Sequence, residues 1–241
     1  MVRTVDPVAH AVRRDAFLDA AQRLIQTKGY ERLSIQDVLA ETSSSKGAFY
    51  HYFNSKAALL EGVVSRMVEQ GMASLAPAVA DPERSALQKF DAVFSGLASF
   101  KAKRKELILA LLRVWLSDDN VIVREKYRRG VIARMTPLLT AIIRQGVAEG
   151  CFTAASPEHT AQAFMALFMG ANETATDLFV GYQAGTVTLA EAESTLAAFV
   201  DAAERILGAR PGSLSHGSTD QSAIIREWFD ASTPAVQRGS A

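Results

Sequence analysis

The chain has 241 residues, 49% of them apolar, with 26 Lys and Arg balanced by 26 Asp and Glu. This composition excludes a wholly disordered or collagen-like chain and supplies a substantial core for one or two domains. The zero net charge hides a polarised chain: residues 1–60 hold 8 basic against 6 acidic groups, 61–100 hold 3 against 5, 101–134 hold 10 against 4, and 135–241 hold 5 against 11.

Apolar residues recur at spacings of three and four along almost the whole sequence, without alternating β-branched runs or Asn-Gly hairpins, so the fold is predicted to be all-α. Phe17, Ala20, Ala21, Leu24 and Ile25 mark a first helix, and Gly29 is its expected stop because a left-handed residue is needed there. Ser34 should cap a short second helix, with Asp37 three residues on in the place usually held by Glu or Gln. Ile35, Val38 and Leu39 give that helix its buried face. After the polar break Ser43-Ser44-Ser45, a third helix carries Phe49, Tyr52 and Phe53 at i, i+3 and i+4. Asn54 and Ser55 precede a fourth helix from Lys56 towards Ala76, expected to end at Pro77 and the Asp81-Pro82 pair. Further helices are predicted at about 83–101, 104–117, 120–149, 157–181 and 188–208, with Pro137 kinking or dividing the 120–149 segment. From Ala209 the sequence becomes linker-like, with a short apolar patch at Ile224, Ile225, Trp228 and Phe229, and a loosely ordered tail is expected.

Two short helices joined by a tight polar turn form a helix-turn-helix unit. With Phe49, Tyr52 and Phe53 anchoring one face of the third helix, the opposite face, carrying Ser45, Lys46, Ala48 and His51, is free to enter a DNA major groove. Gly47 costs about 1 kcal/mol relative to Ala within a helix, a cost that makes sense where something must approach the backbone closely. Lys56 lies in the first turn of the next helix, where the macrodipole disfavours a cation unless a phosphate joins it.

Arg14 to Tyr30 (RDAFLDAAQRLIQTKGY) followed by Leu33 to Leu60 (LSIQDVLAETSSSKGAFYHYFNSKAALL) resembles the DNA-binding domain of the TetR family of bacterial transcriptional regulators. The resemblance covers about the first quarter of the chain. It is carried by the Ala-Ala of the first helix, the Gly-Tyr after it, the Ser-Lys-Gly, the Tyr-x-Tyr-Phe and the following Ser-Lys, all in order and at the family spacing. One departure is Thr42-Ser43-Ser44 where the family usually has Ala-Gly-Val, which places a serine where a left-handed residue is expected. The resemblance implies that Ser34, Tyr50, His51 and Lys56 hold the DNA backbone. It implies that Ser44, Ser45, Lys46, Gly47 and Ala48 face base edges, Lys46 being the foremost candidate for reading guanine.

It also implies the domain plan: a DNA-binding domain at 11–71 with its motif at 34–53, a helical effector-binding and dimerisation domain at 72–208, and a flexible tail at 209–241. The partners implied are a palindromic double-stranded DNA operator, a second copy of the chain, and a small-molecule effector of hydrophobic or aromatic character. Plausible pocket walls are Phe90, Phe94, Leu111, Trp115, Leu139, Ile143 and Phe164, with Arg113 and Asn172 as polar groups that orient a ligand. Two apolar stripes, Phe168, Ala171, Ala175 and Phe179 on one helix and Leu196, Phe199, Val200, Ala203 and Ile206 on the next, suit either a four-helix interface between subunits or an ordinary core, which periodicity alone does not separate.

The remaining motifs argue for no other chemistry. The basic cluster Lys101, Lys103, Arg104 and Lys105 reads as a solvated helix boundary, and Arg124, Lys126, Arg128 and Arg129 read the same way. His10, His159 and His216 lack partners at metal-ligand spacing, so no metal or other cofactor is expected. No nucleophile elbow, phosphate-binding loop or dinucleotide glycine motif marks an enzyme. Cys151 is the sole cysteine, which excludes an intrachain disulfide and suits a reducing compartment. No uncharged apolar run reaches the roughly 18–20 residues that a bilayer requires, and no signal-like apolar segment follows Arg3. The expectation is a cytoplasmic, homodimeric repressor released by its effector; the alternatives are an activator or an effector-independent regulator of the same fold, or a helical small-molecule-binding protein or enzyme that does not use DNA.

Overall fold

The computed structural model describes residues 7–214 and 221–229. Among these it contains ten α-helices and one 3₁₀ turn, with no strand: α1 (Pro7–Lys28), α2 (Ile35–Glu41), α3 (Lys46–Tyr52), α4 (Lys56–Ala80), α5 (Ala86–Ala102), α6 (Lys105–Leu116), the 3₁₀ turn Asp118–Asn120, α7 (Val121–Ala148), α8 (Pro157–Gln183), α9 (Leu189–Leu207) and α10 (Gln221–Phe229). They divide into two compact units. One comprises the described residues up to Gln70 together with Arg104–Gly130; the other comprises Gly71–Lys103 and the described residues from Val131 onwards.

The first unit is organised around aromatic and aliphatic side chains from six helices. Phe17, Leu18, Ala21 and Ile25 of α1 meet Val38 of α2, Phe49 of α3 and the following Phe53, and Leu59, Leu60 and Val63 of α4. The Phe17 ring lies edge-on to Phe49 and Phe53, with centroids 5.6 and 6.4 Å away. Full burial of each such side chain contributes about 1.5–3 kcal/mol, so this cluster fixes the angle at which α3 leaves the domain. Gly62 lets α4 approach: a Cβ there would stand 2.9 Å from both Leu18 and Phe53.

Helix α6 belongs to this unit, which differs from the sequence expectation of a boundary after residue 71. Leu107, Leu111 and Val114 join the same core, as does Val123 at the start of α7. The cause is non-local: α6 has the narrow apolar stripe of an amphipathic helix, and α1 offers the surface that covers it.

In the second unit, hydroxyl caps start the helices. Ser85 and Gln88 form a reciprocal capping box on α5, Thr188 and Glu191 do the same on α9, and Ser156 with Pro157 begins α8. Its core includes an aromatic column from α5 and α8: Phe90 packs on Phe94 (4.6 Å) and Phe164 (5.4 Å), and Phe94 packs on Phe168 (5.4 Å). Phe152 reaches Phe90 at 6.2 Å and needs Gly146, where a Cβ would lie 2.1 Å from its ring.

Three expectations are corrected here. α4 runs through Pro77 to Ala80, because a proline in the last turn removes only one ladder bond; the Asp81-Pro82 pair ends the helix instead. Of the two outcomes expected at Pro137, division of the segment does not occur: α7 is a single helix, with Met135, Leu139, Ile142 and Ile143 buried on either side of the missing bond. The C-terminal region is not simply a loose tail. Glu204, 5% exposed, accepts hydrogen bonds from the backbone N–H groups of Gly212 (2.8 Å) and Leu214 (2.9 Å). Helix α10 then buries Ile225 and Phe229, whose ring packs edge-on against Phe179 (5.6 Å) and at a tilt against Tyr182 (5.3 Å). Residues 215–220 and 230–241 of the expected tail lie outside the described residues, as does the side chain of Ile224.

Candidate nucleic-acid interface

The turn between α2 and α3 is built by backbone hydrogen bonding. Ser44 N–H donates to the Leu39 carbonyl (3.0 Å) and Ser43 N–H to the Ala40 carbonyl (3.3 Å), a Schellman arrangement that places Ser43 at φ 49°. The sequence departure is therefore accommodated without changing the turn: a serine adopts the left-handed conformation that favours glycine.

Helix α2 starts with a complete capping box. Ser34 Oγ accepts from Asp37 N–H (3.2 Å), and the Asp37 carboxylate accepts from Ser34 N–H (2.9 Å) and from Ser34 Oγ (2.8 Å). Lys28 reaches the same carboxylate at 2.6 Å. The Lys28 hydrogen bond, followed by those from Ser34, lowers the Asp37 carboxyl to about 2. Asp thus closes the box as well as Glu or Gln would, and the Ser34 hydroxyl expected to hold a phosphate already has a carboxylate beside it.

Helix α3 starts differently. Ser45 Oγ accepts from Ala48 N–H at 3.2 Å, and the first turn holds no acidic residue. With Phe49 fully buried, Lys46, Gly47, Tyr50 and His51 lie exposed on the helix. The Lys46 ammonium lies 5.9 Å from the centre of the Tyr50 ring, one turn on, and Tyr50 packs edge-on against Phe49 (5.4 Å) while remaining 46% exposed. Gly47 faces open space: only Ser45 Oγ, at 4.0 Å, is near where its Cβ would be. No intramolecular packing accounts for this glycine.

The expected contact residues therefore divide. Ser45, Lys46, Gly47, Tyr50 and His51 are exposed together. Ser44 is half-buried and donates its hydroxyl to the Thr42 carbonyl (3.2 Å), and Ala48 is turned partly onto the core. Lys56 follows Ser55, whose hydroxyl caps α4 at Ala58 N–H (3.0 Å); its ammonium donates to the Glu31 carbonyl (3.1 Å) over the Tyr30 ring (4.3 Å). The lysine is thereby held beside the α4 N-terminus with donors to spare.

His10 was not among the residues the sequence pattern marked for this face. It stands 5.5 Å from His51 and 4.6 Å from Tyr52, bracing the end of α3 from α1. No local signal could have found it, since the two histidines are 41 positions apart in sequence. Arg14 lies over the Phe53 ring (5.7 Å).

The whole unit carries 16 basic against 12 acidic residues, because Arg104–Gly130 joins it. Much of that basic segment is satisfied internally. Arg128 and Arg129 pair with Glu125 (2.7 and 2.5 Å), and Lys126 pairs with Glu61 (2.6 Å). Arg124 donates to the carbonyls of Trp115 and Ser117.

The pocket residues expected from sequence fall in both units. Leu111 is buried in the core of the first, and Trp115 packs edge-on against Tyr127 (4.9 Å) in the same unit; the side chain of Arg113 lies outside the described ones. Phe90, Phe94 and Phe164 form the aromatic column of the second unit, where Leu139 and Ile143 are fully buried. Asn172 accepts a hydrogen bond from Lys101 (2.7 Å), so Lys101 is not the solvated boundary charge expected of it.

Of the expected dimer stripe, Phe179 and Ala203 are buried within the chain, Phe179 beneath α10. Phe168, Ala171, Ala175, Leu196, Phe199, Val200 and Ile206 are half-buried. Cys151 is half-buried too, and burial followed by the nearby Glu149 pushes its thiol pKa up, away from thiolate reactivity. Among the described residues no helix is long and apolar enough to cross a membrane, and no cluster of metal-ligating side chains occurs.

Residues 17–63 match the family model described as bacterial regulatory proteins, tetR family. The chain is similar to the HTH-type transcriptional regulator EthR of Mycolicibacterium smegmatis, 26% identical over 53% of this chain and 66% of that protein. It is also similar to the HTH-type transcriptional repressor NemR of Escherichia coli K12, 25% identical over 66% of this chain and 81% of NemR. The fold matches the crystal structure of a TetR transcription regulator from Haloarcula marismortui with a TM-score of 0.59, at 20% identity, over 82% of this chain and 97% of the other. The alignment with EthR thus spans just under two thirds of that relative's length. The short capped helices, the left-handed turn and the exposed Lys46-Gly47 face all lie within residues 17–63, and this segment is a DNA-binding domain of the TetR family of bacterial regulatory proteins.

Proposed function

We propose that this protein is a sequence-specific, DNA-binding transcriptional repressor that acts as a homodimer on a palindromic operator and is released by a small-molecule effector. The observation that carries the reading is the α3 surface: Lys46, Gly47, Tyr50 and His51 exposed together on a helix anchored by Phe49, with a glycine that no neighbour requires. Lys46 and the open backbone at Gly47 approach base edges, while Tyr50, His51, Lys56 and the helix N-termini take phosphates. Among the relatives, NemR is named as a repressor, which favours repression over activation.

The half-buried residues Leu196, Phe199 and Val200 of α9, with Ala171 and Ala175 of α8, pair with the same helices of a second copy, so that two α3 helices read successive major grooves about 34–36 Å apart. The effector acts through the second unit, by binding better to the conformation that fits DNA less well; such coupling typically amounts to about 1–3 kcal/mol. The protein works in the cytoplasm and catalyses no reaction.

A gel-shift titration of the dimer against fragments of its own upstream region tests the reading. A discrete, competitor-resistant shift with a palindromic footprint is expected. If properly folded dimer shifts no fragment in preference to bulk DNA at low salt, the reading fails.

A further inference from the structure

Lys101, in the last turn of α5, carries a charge the second unit does not balance. Its ammonium donates to Asn172 Oδ1 on α8 at 2.7 Å, and burial lowers its pKa. Among the described residues no carboxylate forms an ion pair with it. Asn172 cannot turn to offer more, because its Nδ2 donates to the Phe168 carbonyl at 2.7 Å, one turn back on α8. One of the three ammonium donors thus meets a neutral amide oxygen, on a half-buried lysine whose charge no neighbouring anion balances.

Phe168 joins this polar group to the aromatic column. Its carbonyl orients Asn172, and its half-buried ring lies 5.4 Å from the half-buried ring of Phe94. Behind them Phe90 and Phe164 are buried. A desolvated cation and partly open aromatic rings therefore stand side by side on α5 and α8.

We propose that Lys101 and Asn172 receive the carboxylate of an amphiphilic organic acid whose apolar body lies against Phe94 and Phe168. This rests on the effector-released reading above and names the chemical class of the effector. A single ammonium suits a monoanion, and a charge-assisted hydrogen bond to carboxylate supplies what the amide of Asn172 does not. A neutral ligand of the same shape would leave the cation as it is.

The test uses the full-length protein with 4-phenylbutyrate and decanoate, each compared with its uncharged primary amide, by calorimetry and thermal melting. Both acids are expected to bind about tenfold to a hundredfold more tightly than their amides and to raise the melting temperature. Lys101→Met should abolish that preference while the ligand-free variant melts no lower than the wild type, since it loses an unbalanced cation. Lys101→Gln provides the same comparison if the methionine variant folds poorly. Equal binding of acid and amide, no binding of either acid, or an acid preference that survives in both variants overturns the proposal. Gel shifts run in parallel keep the two readings apart. Operator binding that is intact in Lys101→Met but insensitive to both acids in the wild type defeats the acid effector and leaves the repressor standing. Acid preference without any operator binding defeats the repressor and leaves the acid site standing.

Discussion

Helices α2 and α3 are both seven residues long and both begin with a serine cap, yet their N-termini are prepared for different things. At α2 the protein supplies its own anion: the Asp37 carboxylate occupies the Ser34 N–H and hydroxyl and is held by Lys28. At α3 the cap is only the Ser45 hydroxyl, the first turn has Lys46 in place of an acid, and Gly47 leaves the backbone uncovered. A helix N-terminus attracts anions wherever its amides are unsatisfied. The difference teaches that one of these ends is closed by the chain's own carboxylate, and the other has no anion of its own.

Four sets of measurements press on this contrast. The largest effect is expected at Lys46. Lys46→Ala should remove about 1–3 kcal/mol of discrimination at one base position. Lys56→Ala should instead weaken binding to all sequences alike and lower the salt slope by about one unit. Salt titrations against specific and scrambled operators separate the two, and equal losses without altered preference would show that α3 does not read bases. Next come the paired caps. Ser34→Ala and Ser45→Ala should each cost about 1 kcal/mol in urea denaturation, yet only Ser45→Ala should also weaken operator binding several-fold. If Ser34→Ala weakens it equally, the α2 end is open after all.

Smaller still is the effect at the joint between the two helices. Ser43→Gly should stabilise the protein by up to about 1 kcal/mol, because glycine takes the φ of 49° without a Cβ conflict. Denaturation midpoints report this directly, and an unchanged or lower midpoint would mean that the serine is not strained. Last is the pH dependence. Asp37 is lowered to about 2 from a usual value near 3.8, chiefly by Lys28 and then by Ser34. Its folded pKa lies below its unfolded pKa, so its contribution is present above about pH 4 and is lost as pH falls towards 2. Asp37→Asn should flatten the stability curve in that window and nowhere else.

The first three helices were legible because their signals are local. Gly29 adopts a positive φ of 80° at the end of α1, Ser34 and Asp37 close their box three residues apart, and Phe49 and Phe53 turn inward as their spacing requires. What the sequence concealed is contact between distant segments. Lys101 looks like any lysine at a helix end, and its partner Asn172 is 71 positions away. α6 was separated from α1 by the same blindness, and its basic neighbours were counted apart from the unit they belong to. His10 depends on a second histidine 41 residues on. The Gly-Ser composition after Ala209 suggested looseness, whereas Glu204 draws the backbone of 212–214 onto α9 and α10 packs beyond it.

That last arrangement makes the end of the chain a poor place to cut. A protein shortened after Leu207 would keep Glu204 but lose the two amides that it accepts from, and Phe179 and Tyr182 would lose the Phe229 ring that lies on them. The shortened protein would gain a sticky aromatic surface and an acid without donors, both favouring aggregation and exposure to proteases. Affinity tags and reporter fusions are therefore better attached beyond α10 than in its place.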